Sequence, residues 1–579
     1  MTGVLIIGGY GTFGSRLVEL LEDEPRLTLT VAGRSAAKAE AFCNSRVAAR
    51  AVLVPLTFDR SGDLHALFAA SRPDIVVDAS GPFQAYGAGP YRVIEACIAN
   101  GIDYLDLADG SKFVAGVNAF DASAKAAGRS ILSGVSTCPV LTAAVTRRLS
   151  RDMVRVESIR AGIAPSPFDG VGENVFRAIA GYAGRRIALK RNGVAGTGYP
   201  FTKQIRFTIA PPGRVPLHNT LFSLADLPDL GAFPELWPEA ETVWVGAGPV
   251  PEILHRQLIA LAWLVRSRLL AGLSVFAPLI SFVANHLRWG EHRGGMFVEV
   301  AGTDADGAPL KRSWHLEAEA DDGPFIPAMA AAALVRKSLN GHTPPPGARA
   351  ALCELELEDY EQLFAGRSIV AGVRNDAALD DAPLYARILG NAWDDLPVEI
   401  RAMHNIDRVS LAEGLASVER GKNVLARLAA WIAGFPGAAA DTPVTVRFEV
   451  VDGAEIWTRT FGDDSFSSRQ FAGRGRWDRL LCEQFGPLTF AMAMVRDGAR
   501  LALVLRGWSV FGVRLPPWLC PRSEAYETVE DGRFRFHVEI GHKLIGPIVR
   551  YRGWLVPARQ SSEAKAGASA RSIPQFPIS

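Results

Sequence analysis

A cluster of glycines stands between an apolar run and a helical run at the start of the chain, and it constrains the fold more than any other feature. Val4-Leu5-Ile6-Ile7 reads as a short parallel strand covered on both faces. Gly8-Gly9-Tyr10-Gly11-Thr12-Phe13-Gly14 comes next, and Ser15 to Leu21 carries helical spacing. Gly9, Gly11 and Gly14 fit G-x-G-x-x-G in that strand-turn-helix context. The first glycine allows a tight turn, the second lets backbone approach a diphosphate, and the third permits close helix–strand packing. Unpaired N–H groups and the helix dipole then attract the phosphates. Gly8, Gly9, Gly11, Thr12, Phe13 and Gly14 are therefore the expected cofactor-binding turn of a Rossmann-type dinucleotide-binding domain.

The next strand sharpens the expectation. Leu27 to Ala32 ends at Gly33-Arg34-Ser35. A carboxylate about 20 residues past the fingerprint would grip a ribose 2′-hydroxyl. Arg34 stands there instead, with Ser35 beside it, and a guanidinium matches a 2′-phosphate through paired charge-assisted hydrogen bonds. NADP(H) is thus predicted over NAD(H). Val52 to Leu56 leads to Asp59, for which two readings stay open, an adenine contact or a helix cap. Asp74 to Ala79 forms a fourth strand and opens into Ser80-Gly81-Pro82, at the carboxyl ends of the strands where open α/β sheets bind ligands. A helix over about 90–100, the segment Tyr104 to Asp109, a helix near 118–127 and the strand Ser130 to Ser133 complete the pattern.

These residues carry a resemblance. The run from Gly8-Gly9-Tyr10-Gly11 through Gly81-Pro82-Phe83, Tyr86-Gly87 and Ala96-Cys97 to Gly101-Ile102-Asp103-Tyr104-Leu105-Asp106 resembles the saccharopine dehydrogenase-like reductases. The likeness is specific over about residues 1–145 and looser to about 355, where Gly323-Pro324 and an alanine-rich helix also fit. It implies a nicotinamide-dependent oxidoreductase, in a family whose members act on amino-acid and on lipid-linked substrates. Phrases near the other end, Trp457-Thr458-Arg459-Thr460-Phe461, Glu483 to Pro487, Leu515 to Leu519 and Tyr551 to Leu555, resemble a second, uncharacterised domain family over about 383–557.

The expected organisation is an α/β Rossmann-type domain (1–145), an α+β mixed-sheet substrate domain (146–355) and a linker (356–382). A separate α+β domain with an antiparallel sheet (383–557) and a flexible Ser/Ala-rich tail (558–579) complete it. The linker reading rests on Thr343-Pro344-Pro345-Pro346-Gly347 and on Asn375-Asp376 with Asp380-Asp381. In the third domain, strands with period-two alternation such as Val444 to Val450 and Arg533 to Ile540 argue for a sheet with one wet face. Its tryptophans read as core or as the wall of an apolar-ligand site.

Charge excludes one class of partner. With 62 basic and 61 acidic side chains the net charge is +1, which gives no reason to expect nucleic acid. The six cysteines are scattered without metal-ligand spacing, so no metal site is expected and the bland reading is a reduced, cytoplasmic chain. Leu269 to Ala284 is charge-free and apolar, but falls short of the roughly 20 residues that span a bilayer and is interrupted by Pro278. A buried or substrate-lining helical pair is expected there, with peripheral membrane contact as the alternative. The expected partners are a small-molecule or lipid-like substrate and a second copy in a homodimer.

Candidates for catalytic proton transfer are Tyr104, Asp106 and Asp109, with Tyr86, Ser133 and Lys112 beside them. Aspartates near strand ends also cap turns, and an isolated lysine is usually solvated. No GxxxxGK[ST], HExxH or GxSxG motif supports another enzyme class. The competing view of the whole chain is a dinucleotide sensor without turnover, because a fold alone does not establish chemistry.

Overall fold

In a computed structural model, the chain is described over residues 1–170, 172–249, 251–286, 288–379, 381–432 and 434–558. The expected tail therefore lies, beyond Ala558, outside the described residues, as does Asp380 of the expected linker. Two compact units emerge. One holds Met1–Ala382 with Leu389–Ala392 and Arg474–Arg479; the other holds Pro383–Ile388, Trp393–Gly473 and the chain from Leu480 onward.

The apolar run at the start becomes β1 (Thr2–Ile7), and the strands after it are β2 (Leu27–Gly33), β3 (Val52–Thr57), β4 (Ile75–Asp78), β5 (Asp103–Asp106) and β6 (Ser130–Ser133). They pair in parallel in the order β6-β5-β4-β1-β2-β3, with Gly347–Ala350 added outside β6. Successive side chains of a strand point to opposite faces. Val4 and Ile6 accordingly join Leu17, Leu21, Leu29 and Val31 in one core, while Leu5 and Ile7 join Phe68, Val76, Ile94 and Tyr104 in another. Both faces are covered, which is why these strands read as continuous apolar runs. The chain leaves β1 toward β2 on one side and reaches β4 on the other, so a crevice opens at the carboxyl ends of β1 and β4.

A second seven-stranded sheet lies in the same unit. Its order is Gln204–Phe207, Thr220–Leu224, Thr242–Ala247, Arg155–Ala164, Gly294–Thr303, Pro309–Ala318 and Ile369–Arg374. Thr242–Ala247 pairs with Arg155–Ala164 in parallel, whereas the hairpin Gly294–Thr303 with Pro309–Ala318 is antiparallel, so the sheet is mixed as expected. The segment 356–382 is not a linker. Leu357–Phe364 is a helix that buries Leu357, Tyr360 and Phe364, and Ile369–Arg374 hydrogen-bonds along Pro309–Ala318 as the edge of this sheet. Leu269 to Ala284 is neither a span nor wholly buried. Leu273 and Ala277 pack against Ala262, Val265 and Phe201, while Leu269, Val275, Leu279 and Phe282 face solvent. Among the described residues, no helix is long and apolar enough to cross a membrane.

The second unit is a closed antiparallel barrel. Its sheet runs from Val409–Arg420 to Gly546–Pro557, and the ring closes where Leu488–Asp497 pairs with Arg500–Val510 and Val409–Arg420 pairs with Gly546–Pro557. Alternation supplies the lining: in Ala454–Phe461 the residues Trp457, Arg459 and Phe461 turn inward. The helix Val398–His404 packs at one end, where His404 stacks on Tyr385 and bonds Glu527 at 2.8 Å.

Phe364→Ala tests the corrected boundary. A buried phenylalanine in a packed helix should cost about 3–5 kcal/mol when cut to alanine, read as a lower urea midpoint for the first unit. A linker residue would leave the midpoint where it was.

Candidate functional site

The helix α1 (Thr12–Leu21) starts directly from the glycine turn, with Gly11 as its N-cap. Gly8 adopts φ +76°, a left-handed conformation that favours glycine. A Cβ on Gly14 would lie 2.2 Å from the Gly8 carbonyl oxygen, so only glycine allows α1 to sit this close to β1. The first helical bond runs from Ser15 N–H to Gly11 C=O at 3.0 Å, which leaves the N–H groups of Thr12, Phe13 and Gly14 ahead of it for a ligand. Thr12 is exposed at this end, and Phe13 packs its ring against the core.

Tyr10 plays a part that the glycine pattern does not reveal. Its ring lies over Gly33, where a Cβ would come within 2.4 Å, and its hydroxyl accepts the Ser35 N–H at 3.0 Å. The turn and the end of β2 are thereby clamped together. Ser35 caps the helix Ala36–Ser45, and Arg34 projects into solvent beside it. Asp59 is also exposed; it accepts hydrogen bonds from Ser61, and those bonds and the Arg34 charge hold its carboxyl below the usual range.

At the end of β4, Asp78 is buried and accepts from Ser80 N–H at 3.0 Å and Ser80 Oγ at 2.6 Å. Burial raises its pKa against those bonds. Tyr86 shares a 2.7 Å hydrogen bond with Ser80 and lies under the Arg60 guanidinium, 3.3 Å from ring centre. Burial and the Asp78 charge push the Tyr86 phenol far up, so it stays a neutral hydroxyl. Gly81 and Pro82 carry the chain over this network, and Asn174 Nδ2 donates to the Gly81 carbonyl at 3.1 Å.

The three catalytic candidates part company. Tyr104 is 1% exposed inside the core, with its phenol pushed well up by burial, and reaches no crevice. Asp106 is fully buried at the end of β5; one oxygen accepts from Gly134 N–H at 2.8 Å, Ala108 N–H at 3.0 Å and Ser133 Oγ at 3.0 Å. Its other oxygen has no partner among the described residues, and burial raises its pKa from 3.8 to about 7. Asp106 and Ser133 therefore tie β5 to the loop after β6. Asp109 stands just past β5: it accepts from Gln84 Nε2, on the segment that follows β4, at 2.9 Å, and burial with the Asp226 charge raises its pKa. Asp226 stands in the loop after the strand Thr220–Leu224, accepts the Ser111 hydroxyl, and feels the exposed Lys112 ammonium. Tyr182, on the helix Glu173–Tyr182, completes the cluster, and burial together with Asp109 and Asp226 raises its phenol. Asp226 and Tyr182 lie more than 70 residues from Asp109 in sequence, so no local motif could find them.

A glycine cradle that a Cβ would fill, free N–H groups at a helix start and an exposed guanidinium at the end of β2 all fit a nicotinamide dinucleotide. Family comparison agrees. Residues 4–132 match the saccharopine dehydrogenase NADP binding domain. That is the family of the amino-terminal domain. The saccharopine dehydrogenase-type domain is followed by a match to a domain of unknown function (DUF4166) over residues 396–555. No curated protein matches the sequence.

Among solved structures the chain is similar to apo saccharopine dehydrogenase (L-Glu forming) from Saccharomyces cerevisiae, at 16% identity and TM-score 0.45, over 64% of this chain and 100% of that one. It is also similar to the WlbA dehydrogenase from Chromobacterium violaceum in complex with NADH and UDP-GlcNAcA, at 13% identity and TM-score 0.31, over 64% and 95%. A probable dehydrogenase from Thermotoga maritima stands at 10% identity and TM-score 0.30, over 62% and 92%. With its saccharopine dehydrogenase-type domain, the chain is an NAD(P)-dependent oxidoreductase. Among the described residues no cluster of His, Cys, Asp and Glu is placed to hold a metal ion.

Asp106 gives this region a pH signature. Its folded pKa lies above the unfolded value, so the folded chain binds the extra proton between about pH 4 and 7. The stability it contributes is complete below that window and lost as pH rises through it, by up to about 4 kcal/mol. Asp106→Asn keeps an acceptor for all three donors and removes the titration. Urea unfolding across pH 4–8 should show wild type falling relative to the variant; parallel curves would contradict the buried acid.

Proposed function

We propose that the chain is an NADP(H)-preferring reductase or dehydrogenase acting on a small or lipid-like substrate, with Asp109 managing the proton. The observation that carries the cofactor preference is Arg34, exposed at the end of β2 on a segment that Tyr10 fixes through Ser35. A 2′-phosphate at that strand end would meet the guanidinium, while a carboxylate in its place would repel it. Gly8, Gly9, Gly11, Thr12, Phe13 and Gly14 would hold the diphosphate through backbone, and Ser80, Gly81 and Pro82 would border the nicotinamide half. The bound dinucleotide supplies or accepts hydride.

The chain's own residues do the rest. Burial raises the pKa of Asp109, the direction a general acid needs, and Gln84 orients it. Burial holds the proton on Asp109 and the Asp226 carboxylate adds to it, while Ser111 and Lys112 oppose the burial that raises Asp226 in turn. Tyr182 closes the cluster as a neutral hydroxyl.

Fluorescence titration with NADPH and NADH tests the preference. Arg34→Glu should weaken NADPH by about 10- to 100-fold, the loss of one or two charge-assisted bonds, and leave NADH nearly unchanged. Equal effects on both nucleotides would take Arg34 out of the site.

Asp109 is tested by turnover. NADPH absorbance loss against a panel of aldehydes, ketones and imines should fall about 100-fold or more in Asp109→Asn, with nucleotide binding retained. Undiminished turnover in the variant would assign the proton to another group.

A further inference from the structure

The barrel unit carries a feature that hydride chemistry in the other unit does not explain. A cavity of about 110 Å³ runs inside it, from Tyr385 and Met403 at one end to Phe461, Phe485 and Pro521 at the other. Most of the lining is apolar: Phe448, Phe490, Met492, Leu505, Phe536 and Val538 are representative. Deep lining such as Phe448 is buried, but Phe485, Leu505, Phe536 and Val538 remain partly exposed, so the upper lumen is not filled by the barrel's own side chains.

The lumen also has a polar level. Arg459 donates to Glu483 at 2.9 Å and to Ser468 at 2.8 Å, and Tyr385 donates to Gln470 at 3.2 Å. Two carboxylates, Glu483 and Glu527, face the lumen, the first bonded by Arg459 and the second by His404. An anionic end group would therefore meet two carboxylates and, among the described lining residues, no cation that is not already bonded to one of them. A chain ending in a neutral hydroxyl or carbonyl would find donors and acceptors without that repulsion.

The topology separates the two ends of the barrel. Strand direction alternates, so the connections 421–438, 462–463, 486–487, 511–521 and 543–545 share one end, opposite the end where His404 and Tyr385 pack. That first end is unusual. The helix Val424–Ile432 buries Ala426 and Ala430 against Ile548 and turns Val424, Leu428 and Trp431, the last 75% exposed, to solvent. Beside it in the topology, Phe511, Trp518 and Leu544 are 82%, 69% and 83% exposed. Segments 421–432, 511–522 and 542–546 contain Lys422, Arg427, Arg514, Arg522 and Lys543 and no Asp or Glu, against the exposed pair Asp463 and Asp464 at the neighbouring turn. Exposed aromatic and aliphatic tips among basic residues match an anionic bilayer surface in both polarity and charge.

We infer that the barrel is a lipid-binding module, which docks by this rim on an anionic membrane and takes into its lumen an apolar chain ending in a neutral hydroxyl or carbonyl. The cavity and the rim are continuous through Phe485 and Pro521, which line the one next to the connections that form the other. The inference rests on the barrel alone and stands or falls independently of the cofactor assignment.

Flotation of the full chain with vesicles tests the rim. The chain should float with phosphatidylcholine–phosphatidylserine vesicles, less in high salt, and poorly with phosphatidylcholine alone. Trp431→Ser/Trp518→Ser/Leu544→Ser, all at exposed positions, should reduce flotation on the order of tenfold or more. Leu279→Ser/Phe282→Ser, in the other unit, should leave it unchanged. Parinaryl alcohol fluorescence tests the lumen: the alcohol should bind more tightly than parinaric acid and be excluded by Val538→Trp, with thermal unfolding as the check that this variant folds. Should Val538→Trp fail to fold, displacement of parinaryl alcohol by dodecanol from wild type replaces it, and no displacement overturns the lumen assignment. Flotation that is absent, or that survives the triple substitution, overturns the rim assignment. A wild-type dimer that the triple variant dissociates, without vesicle binding, would make the rim a self-association face and overturn it as well.

Discussion

The contact between Gly14 and the Gly8 carbonyl determines where the whole amino-terminal unit can bind anything. A side chain there would push α1 off β1, and the helix start would no longer point its N–H groups across the crevice. A second missing Cβ, at Gly33, is filled from outside by the Tyr10 ring. The first absence lets backbone approach backbone, and the second lets an aromatic side chain lock the turn to the end of β2 through Ser35. The backbone that carries Arg34 owes its fixed position to that second absence. A substitution at Gly33 would therefore disturb the strand end that carries Arg34 without touching Arg34 itself.

Much of the first sheet was legible because physics writes it locally. Parallel strands buried on both faces must be apolar throughout, and Val4 to Ile7 and Ile75 to Val77 show it. The mixed second sheet was announced by hairpin signals around Asp304 to Gly307. The segment 356–382 hides its structure, because the proline punctuation at Pro344 to Pro346 marks a turn and is silent about the residues beyond it. Ile369–Arg374 finds its partner in Pro309–Ala318, about 50 residues back, and edge pairing at that distance leaves no periodic trace. The site divides the same way. The glycine turn and Arg34 are local signals, whereas Asp226 and Tyr182 reach Asp109 only through the fold. Tyr104 looked catalytic by type, but it sits within β5 under the helices, where no substrate reaches.

Buried carboxyl groups recur at strand ends and divide by what they bond. Asp78 and Asp106 end adjacent strands in register and each collects several donors, Asp78 from Ser80 and Tyr86 and Asp106 from Ala108 and from Ser133 and Gly134 at the end of β6. Burying a carboxylate without such donors costs several kcal/mol, so these loops are held by the groups they satisfy. Asp109 differs in having one amide donor and a second carboxylate nearby. Rigid anchoring suits the first pair, and an exchangeable proton suits the third. Sequence type alone could not make that division, since all three are aspartates within a stretch of about 30 residues.

Alternation in the carboxy-terminal third was legible as a sheet with one wet face, and the wet face proved to be the outside of a ring. Closure cannot be read from period two, because an open sheet and a barrel alternate alike. Closing the ring leaves no long edge strand exposed, which removes the usual hazard of pairing with other chains. A fold that protects its edges so thoroughly has no folding reason to display Trp431, Phe511, Trp518 and Leu544 at one end. Scattered apolar residues on a surface need no explanation, but a concentration at the mouth of an unfilled lumen does. The opposite end, packed by His404 and Tyr385, shows that the same chain can close a barrel end when function does not require it open.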